Sequence, residues 1–510
     1  MSRGRGRRAG RGIAALAATT AALGGFVATA GPAGAAPLGY DVSAKGSLYH
    51  IAQAVGAHDS YRAGFTGRGI GVALIDTGVT EVPGLDTGNV VNGPDLSFDS
   101  QDPELAHRDA YGHGTHLASI IAGRDVAGTP VSYTDPGRFN GIAPDATLVD
   151  VKVGASDGAV DVTQVIAAID WVVEHRDDNG MNIRVLNLSY GTDSTQDTRT
   201  DPLAFAVEQA WKAGIVVVVA GGNDGSTNHN LANPARDPYV LAVGAADTQG
   251  TVDPVDDTVP SWATRGTNQR HVDVVAPGVS VTGLRVPNGY ADERHPDARR
   301  GTRFAVSSGT SQAAAVVSGE VALLLQEDPR LTPDQVKRQI MSTSSPFDST
   351  TNQYRGNGLT DVRQAQVKPN NNTTQSPQFY GTGTGSIEAS RGTSHVDHDG
   401  ALLQGEVDVF GNAWDGRAWA TASARQTAWV GGRWRGHLLT GDGWEGTTWR
   451  TVEWTQPAWD TRQWRDASWT TRQWRDGSWT NTTWSTRQWR DASWSTRQWR
   501  TADLSSASWS

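Results

Sequence analysis

The stretch IGVALIDTG, residues 70–78, decides the fold class. Its first six residues, Ile70–Ile75, are apolar or glycine, and turn-forming residues follow at once. A short run that is apolar at every position is typical of a strand buried on both faces, as in parallel sheets. We therefore predict a central parallel strand that places Asp76 at the carboxyl edge of the sheet, where open α/β folds have their sites. Taken alone, Asp76 is also compatible with a turn cap.

Further apolar runs and helical patterns alternate along residues 37–367. The runs that predict buried strands are Thr147–Val153, Ile183–Leu188, Ile215–Ala220, Val240–Val243 and Val272–Val275. Helical periodicity is present over Val162–His175 and Leu203–Ala213, and Leu331-Thr332-Pro333 predicts the start of another helix. Such alternation predicts an α/β domain with a mostly parallel sheet and helices on both faces.

Composition narrows the chemistry of the 510-residue chain. Its formal net charge of −10 argues against a general nucleic-acid-binding protein. The chain contains no cysteine, which excludes disulfides, cysteine-ligated metal centres and thiol catalysis. Any nucleophile must therefore be a hydroxyl, an amine or a carboxylate.

The first 36 residues predict a secretory signal peptide. Five arginines precede an apolar, alanine-rich run over residues 13–30, and small residues follow at 33–36. An uncleaved membrane anchor is the alternative interpretation, which the threonine and glycine content disfavours. Since no second stretch is apolar enough to cross a membrane, we expect the mature chain to be secreted, extracellular or associated with the cell surface.

Two further motifs carry residues suited to catalysis. The block GHGTH, residues 112–116, opens an apolar helical run and places His113 at a helix start. The block GTSQA, residues 309–313, precedes a long apolar helix, so Ser311 lies where free backbone amides cluster. Alone, each would more simply be a structural histidine or a helix-capping serine, and we assign His116 to the structural class. Together with Asp76 they form an ordered Asp, His, Ser set.

Five blocks in the right order resemble the subtilase family over roughly residues 46–366. They are VALIDTGV at 72–79, GHGTH at 112–116, LNLSYG at 186–191, VVVAGGNDG at 217–225 and SGTSQAAAVVSG at 308–319. The resemblance implies a secreted serine endopeptidase of broad specificity with a subtilisin-like fold. It implies Ser311 as nucleophile, His113 as general base and Asp76 as the group that orients the histidine, with Asn223 as an oxyanion donor. A turn role is the alternative for Asn223.

The resemblance also implies where a peptide substrate lies. Ser189-Tyr190-Gly191 would pair with the extended peptide, and Ala220, Gly221 and Gly222 would form the opposite wall of the pocket. Protein or peptide substrates are the implied partners. No cofactor is required for the chemistry, and structural calcium is compatible with the family although no ligand spacing indicates a site. The competing function is a cell-surface binding or structural protein with an inactive protease domain, which the intact triad disfavours.

The sequence departs from the family pattern near the nucleophile and before the domain. Gln312 stands where the family usually has methionine, and Ala315 where it usually has proline. Neither position supplies a reacting atom, so only packing is affected.

Between the signal peptide and the start of the resemblance there is no room for an inhibitory prodomain. We therefore expect that the enzyme folds unaided or that its control lies elsewhere.

A tryptophan-rich region follows the α/β domain. Residues 368–400 predict a linker, because their first half is rich in Asn, Thr, Gly and Pro. In the module over 401–510, seventeen of the chain's 20 tryptophans share one five-residue register. A five-residue step would scatter them around a helix, so we expect a β-rich repeat module. The tryptophans are the core of that module, aromatic platforms for cell-wall polysaccharide, or part of a disordered tail. Replacing Trp464, Trp474 and Trp484 with alanine would distinguish the first two interpretations.

Overall fold

The computed structural model describes residues 39–225, 230–347, 352–370, 372, 380–440 and 447–451. The chain divides into two units, Met1–Ala35 and Ala36–Ser510, and every described residue lies in the second. The predicted signal peptide and the repeats over 452–510 therefore lie outside the described residues. Trp464, Trp474 and Trp484 are among those repeats.

The helices and strands of the described residues follow in chain order. The helices are α1 (Leu48–Ala54), α2 (Ala57–Arg62), α3 (His113–Ala122), α4 (Val162–His175), α5 (Pro202–Lys212), α6 (Tyr290–Arg294), α7 (Thr310–Glu327), α8 (Pro333–Thr343), α9 (Asn352–Arg355), α10 (Val362–Val367), α11 (Ile387–Arg391) and α12 (Gly416–Ala424). The strands are β1 (Gly71–Asp76), β2 (Val90–Asp95), β3 (Thr147–Lys152), β4 (Ile183–Leu188), β5 (Val216–Ala220), β6 (Leu241–Ala246), β7 (Val274–Pro277), β8 (Val281–Leu284), β9 (Arg299–Arg300), β10 (Phe304–Ser307), β11 (Val396–His398), β12 (Ala401–Leu402), β13 (Trp429–Val430), β14 (Arg433–Trp434) and β15 (Arg450–Thr451).

A seven-stranded parallel sheet forms the centre of the molecule, in the order β2-β3-β1-β4-β5-β6-β7. Every residue of β1, β5, β6 and β7 is buried, as the apolar runs predict. Because neighbouring side chains point to opposite faces, full burial requires cover on both faces. The predicted α/β class is confirmed.

Two helix pairs cover the sheet. α3 packs against α7, α4 packs against α5, and both pairs contact strands of the sheet. The predicted bounds of α4 are correct, and a capping box fixes where the helix begins. Asp161 accepts from the Thr163 amide at 2.9 Å, and the Asp161 amide donates to Gln164 at 2.8 Å. The carboxylate of Asp161 is fully buried at this helix end.

The edge strand β2 is absent from the sequence prediction. Its sequence, VVNGPD, contains neither an apolar run nor an alternating pattern, and its residues are partly exposed. Pairing with β3 beside it, rather than local preference, makes this segment a strand.

The C-terminal segment, residues 386–440, differs from the predicted linker and separate module. α11 and β11 lie inside the predicted linker, and Ile387 and Val396 are fully buried in the same apolar core as the sheet. Only the first half of 368–400 has a linker composition, so the prediction extended too far. Small antiparallel sheets are present here as predicted, formed by β11, β12 and β15 and by β13 and β14.

Three tryptophans of the five-residue register pack against α4 of the α/β domain. Trp419 and Trp434 are fully buried, and their indole Nε1 atoms both donate to Asp170 Oδ2 at 2.9 Å. The Trp429 indole donates to the Ala167 carbonyl at 2.9 Å. Trp419 also lies within a helix, α12, against the expectation that helix is disfavoured. A nine-residue helix contains a single tryptophan of the register, so the scatter of successive positions does not arise.

Candidate active site

Asp76 and His113 form the best-defined pair at the carboxyl edge of the sheet. Asp76 is the last residue of β1, is fully buried, and accepts from the Thr77 amide at 2.7 Å. His113 Nδ1 lies 2.8 Å from Asp76 Oδ1 and 3.0 Å from Oδ2. A carboxylate at this nitrogen selects the tautomer with the proton on Nδ1 and leaves Nε2 as the basic nitrogen.

A second buried aspartate, which the sequence analysis missed, holds the start of α3. Asp109 accepts from the Gly112 amide at 2.6 Å, from the Thr115 amide at 2.7 Å and from the Thr77 hydroxyl at 2.8 Å. The Gly114 amide in turn donates to the Thr77 hydroxyl at 2.9 Å. These bonds join the turn after β1 to the helix that bears His113. The signal in the sequence was an aspartate close before an unusually glycine-rich helix start.

Lys152, the last residue of β3, is hydrogen-bonded to the turn that follows β1. Its side chain is fully buried, and Nζ donates to the Thr77 carbonyl at 2.9 Å and to the Gly154 carbonyl at 2.7 Å. Asp99 lies 3.3 Å from the same nitrogen. A buried cation with two carbonyls and a carboxylate is well satisfied, so it fixes the turn that carries the Asp76 carboxylate.

Ser311 lies at the first turn of α7, next to the residue that orients Asn223. Thr310 donates from its amide to Asn223 Oδ1 at 2.9 Å and from its hydroxyl to the same oxygen at 3.1 Å. The oxygen end of the Asn223 amide is therefore engaged with the start of the helix. Sequence reasoning missed this role of Thr310, which the nucleophile block contains.

Topology brings the site residues to one edge. Asp76 ends β1, Ser189 follows β4, and Asn223 follows β5, and these three strands are consecutive neighbours in the sheet. Ser311 lies near the same edge, because its neighbour Thr310 is hydrogen-bonded to Asn223. Parallel strands end together, so these residues share one edge of the sheet although up to 235 positions separate them in sequence.

Two glycines assigned to the substrate site pack so closely against their neighbours that neither has room for a side chain. A Cβ on Gly191 would lie 2.7 Å from the Ala232 Cβ, and one on Gly222 would lie 2.9 Å from Thr264 Oγ1. Gly222 also has a φ of +114°, which favours glycine. The Gly222 amide donates to Thr310 Oγ1 at 3.2 Å, which ties this wall to the start of α7. Ser189, Tyr190, Ala220 and Gly221 are all buried beside them.

Burial dominates the protonation of the buried groups near the site. It raises the pKa of the Asp76 carboxyl above its ordinary value, while the His113 imidazole and the Thr77 amide oppose that rise. Burial and the neighbouring His113 lower the pKa of His116 to about 3. His116 is therefore neutral at physiological pH and packs against β8, where a Cβ on Gly283 would lie 2.8 Å from its ring.

The described residues contain neither a candidate metal cluster nor a candidate membrane-spanning helix. In that part of the chain, no group of three or more His, Asp or Glu side chains is arranged to hold a metal ion. Within the same residues, no helix has the length and the apolar character needed to cross a membrane.

Residues 67–383 match the model of the subtilase family, and the chain belongs to that family of serine proteases. The serine protease AprX of Bacillus subtilis is 35% identical over 306 residues, which are 59% of this chain and 66% of that protein. The chain thus spans just under two thirds of this relative's length.

Subtilisin BL and subtilisin Savinase of Lederbergia lenta are each 33% identical over 313 residues, which cover 61% of this chain and 95% of theirs. A solved structure described as a cold adapted subtilisin-like serine proteinase is 29% identical and has a TM-score of 0.41, covering 58% of this chain and 88% of its own. The family match ends at residue 383, so the C-terminal segment lies beyond it.

Proposed function

We propose that the chain is a secreted endopeptidase that hydrolyses peptide bonds through Asp76, His113 and Ser311. The observation that carries this proposal is the buried pair of His113 and Asp76, with 2.8 Å between Nδ1 and Oδ1, at the edge where Asn223 contacts the start of α7. A serine hydroxyl is a poor nucleophile until a base removes its proton, and an oriented imidazole is suited to that task.

The proposed mechanism assigns one task to each group. Ser311 Oγ attacks the scissile carbonyl carbon while His113 Nε2 takes the hydroxyl proton, and His113 then gives that proton to the leaving amine. Asp76 holds the imidazole tautomer and stabilises the imidazolium. The backbone amide of Ser311 and the Asn223 side chain donate to the oxyanion, and water then hydrolyses the acyl-enzyme by the reverse sequence.

Extended peptides are the proposed substrates. Main-chain pairing with Ser189-Tyr190-Gly191 would supply affinity with little sequence choice, which supports broad specificity. Ala220, Gly221 and Gly222 would form the facing wall.

Secretion and a surface-binding role for the repeats complete the proposal. The charge and apolar pattern of residues 1–36 support export, and the tryptophans beyond residue 451 would contact cell-wall polysaccharide. Incubating the full chain and a chain ending at residue 451 with insoluble cell walls tests the second point. The full chain should pellet and the shortened chain should stay in solution, whereas equal pelleting would contradict it.

Covalent labelling tests the catalytic proposal. A fluorophosphonate should modify the wild-type protein at Ser311, and Ser311→Ala should abolish both labelling and peptide cleavage. Ser342→Ala is the matched control, since it removes an exposed hydroxyl that lies outside the site. Peptide cleavage that persists in pure Ser311→Ala protein would refute the mechanism.

A further inference from the structure

The C-terminal segment is bonded to the residues that directly follow the proposed substrate edge. The Thr192 hydroxyl donates to the Ser390 carbonyl at 2.6 Å, and both residues are fully buried. Next to it, Asp193 accepts from the Thr393 amide at 2.7 Å and from the Thr393 hydroxyl at 2.6 Å. Two consecutive residues after Gly191 are thus held by a part of the chain beyond the family domain.

Asp201 extends this network to Asn233, which pairs with Thr192. It is fully buried, and its Oδ1 accepts from the Ser390 hydroxyl at 3.1 Å and from Asn233 Nδ2 at 3.0 Å. Asn233 pairs with Thr192 through two backbone hydrogen bonds of 2.9 Å. The same carboxylate thus joins the C-terminal segment to the loop that packs against the substrate edge at Gly191.

The loop after the edge has little structure of its own. Between β4 and α5, residues 189–201 contain an isolated bridge to Asn233 and turns, but no helix or strand. Gln196 adds a further pair of bonds to the segment, because its side chain accepts from the Ser386 amide at 2.9 Å and donates to the Ser386 carbonyl at 3.0 Å. The C-terminal segment therefore supplies part of the bonding that positions this loop, beside the bonds that Asn233 and Arg236 make to it.

The far end of the segment is anchored on α4. Arg391 is fully buried and donates from Nε to Asp161 Oδ2 at 2.6 Å and from Nη1 to the Gly405 carbonyl at 2.9 Å. Trp419 and Trp434 are bonded to Asp170, as described above. The segment therefore bridges a rigid helix and a loop that lacks regular structure.

We propose that the C-terminal segment determines how firmly this enzyme binds extended substrates, with Ser390 and Thr393 as positioning residues for Ser189-Tyr190-Gly191. The inference rests on the proposed peptidase function and on the proposed pairing at that edge. Small substrates that react at Ser311 without pairing with Ser189-Tyr190-Gly191 should be hydrolysed at the same rate whether or not the bonds to the segment are intact. The reason is that the bonds described above join the segment to the loop and not to the triad.

Thr393→Val tests the inference in the full chain. Thr393 is exposed, and valine has nearly its shape, so folding should be preserved. For a tetrapeptide p-nitroanilide we expect KM to rise about 2- to 10-fold, the effect of one lost hydrogen bond, with kcat changed by less than about 2-fold. Hydrolysis of p-nitrophenyl acetate, which is too short to pair with the edge, should remain at the wild-type rate.

One control variant and one second test variant accompany Thr393→Val. Thr421→Val removes an exposed hydroxyl of α12 that bonds only within its helix, to the Arg417 carbonyl at 2.8 Å, and should leave both substrates unaffected. Thr192→Val removes the other bond to the segment and should raise the tetrapeptide KM in the same way.

The outcomes separate this inference from the proposed function. An unchanged tetrapeptide KM in both Thr393→Val and Thr192→Val would overturn the inference, and so would equal losses on the peptide and on the acetate ester. In either case wild-type labelling at Ser311 would leave the peptidase function intact. A wild-type protein that reacts with neither fluorophosphonate nor ester would refute the proposed function, and the inference with it.

Discussion

Replacing the buried Asp170 with asparagine should stabilise the folded protein above about pH 6. Asp170 accepts two indole N–H groups and, at 2.6 Å, the Ser423 hydroxyl. An asparagine side chain can keep all three contacts: its oxygen accepts from both indoles, and its NH₂ group donates to the Ser423 oxygen. The substitution therefore removes a buried charge and keeps three contacts, while the second amide N–H and the Ser423 hydroxyl proton need new acceptors, which sets an upper limit on the gain.

The expected magnitude follows from the titration of this carboxyl. Burial raises the pKa of Asp170, and hydrogen bonds from Ser423, Trp434 and Trp419 partly oppose that rise, so that the pKa is about 6. The unfolded chain releases the proton near the ordinary value of 3.8, whereas the folded protein retains it up to about pH 6. The free energy of unfolding therefore falls as pH rises through this window, by about 3 kcal/mol in total.

Urea unfolding at pH 4 and pH 8 would measure the effect, with Ser311→Ala as the background to prevent self-cleavage. We expect Asp170→Asn to match its parent at pH 4 and to exceed it by up to about 3 kcal/mol at pH 8. Groups that titrate in both proteins cancel in the difference. Asp178→Asn, the same charge change on an exposed side chain near the end of α4, is the control. A loss of stability at pH 8, or an equal gain at both pH values, would refute the reasoning.

Three other predictions concern the anchor, the oxyanion donor and the length of the chain. Arg391→Met should lower the free energy of unfolding by about 3–5 kcal/mol in urea titrations, because it leaves the buried Asp161 carboxylate unpaired, and adding Asp161→Asn should restore part of that loss. Asn223→Ala should reduce kcat about 10²- to 10³-fold with KM nearly unchanged in steady-state assays, since its amide acts on the oxyanion and not on the bound peptide. A chain ending at residue 370 should melt at a lower temperature than the full protein, because the buried acids of α4 lose their donors. Equal melting temperatures would show that the C-terminal segment adds no stability.

Sequence patterns alone predicted the central sheet and the candidate catalytic residues. The fully apolar run Ile215–Ala220 contains β5, because burial on both faces selects apolar residues at every position. The motif around Asp76 and the glycine-rich start at His113 were equally readable, and the structure brings these two side chains within 2.8 Å. Local periodicity and short motifs carry this information directly.

Only the tertiary structure decided which groups support the site and where the C-terminal segment lies. β2 is a strand because β3 pairs with it, and Asp109 acts through contacts with backbone amides that no side-chain pattern reveals. The spacing of the tryptophans showed that Trp419 and Trp434 repeat, but not that both meet Asp170, about 250 residues earlier in the chain. Periodicity identifies which side chains avoid water. The surface that covers them depends on the shape of the folded domain and on where buried acceptors such as Asp170 lie, and both are determined only when distant parts of the chain come together.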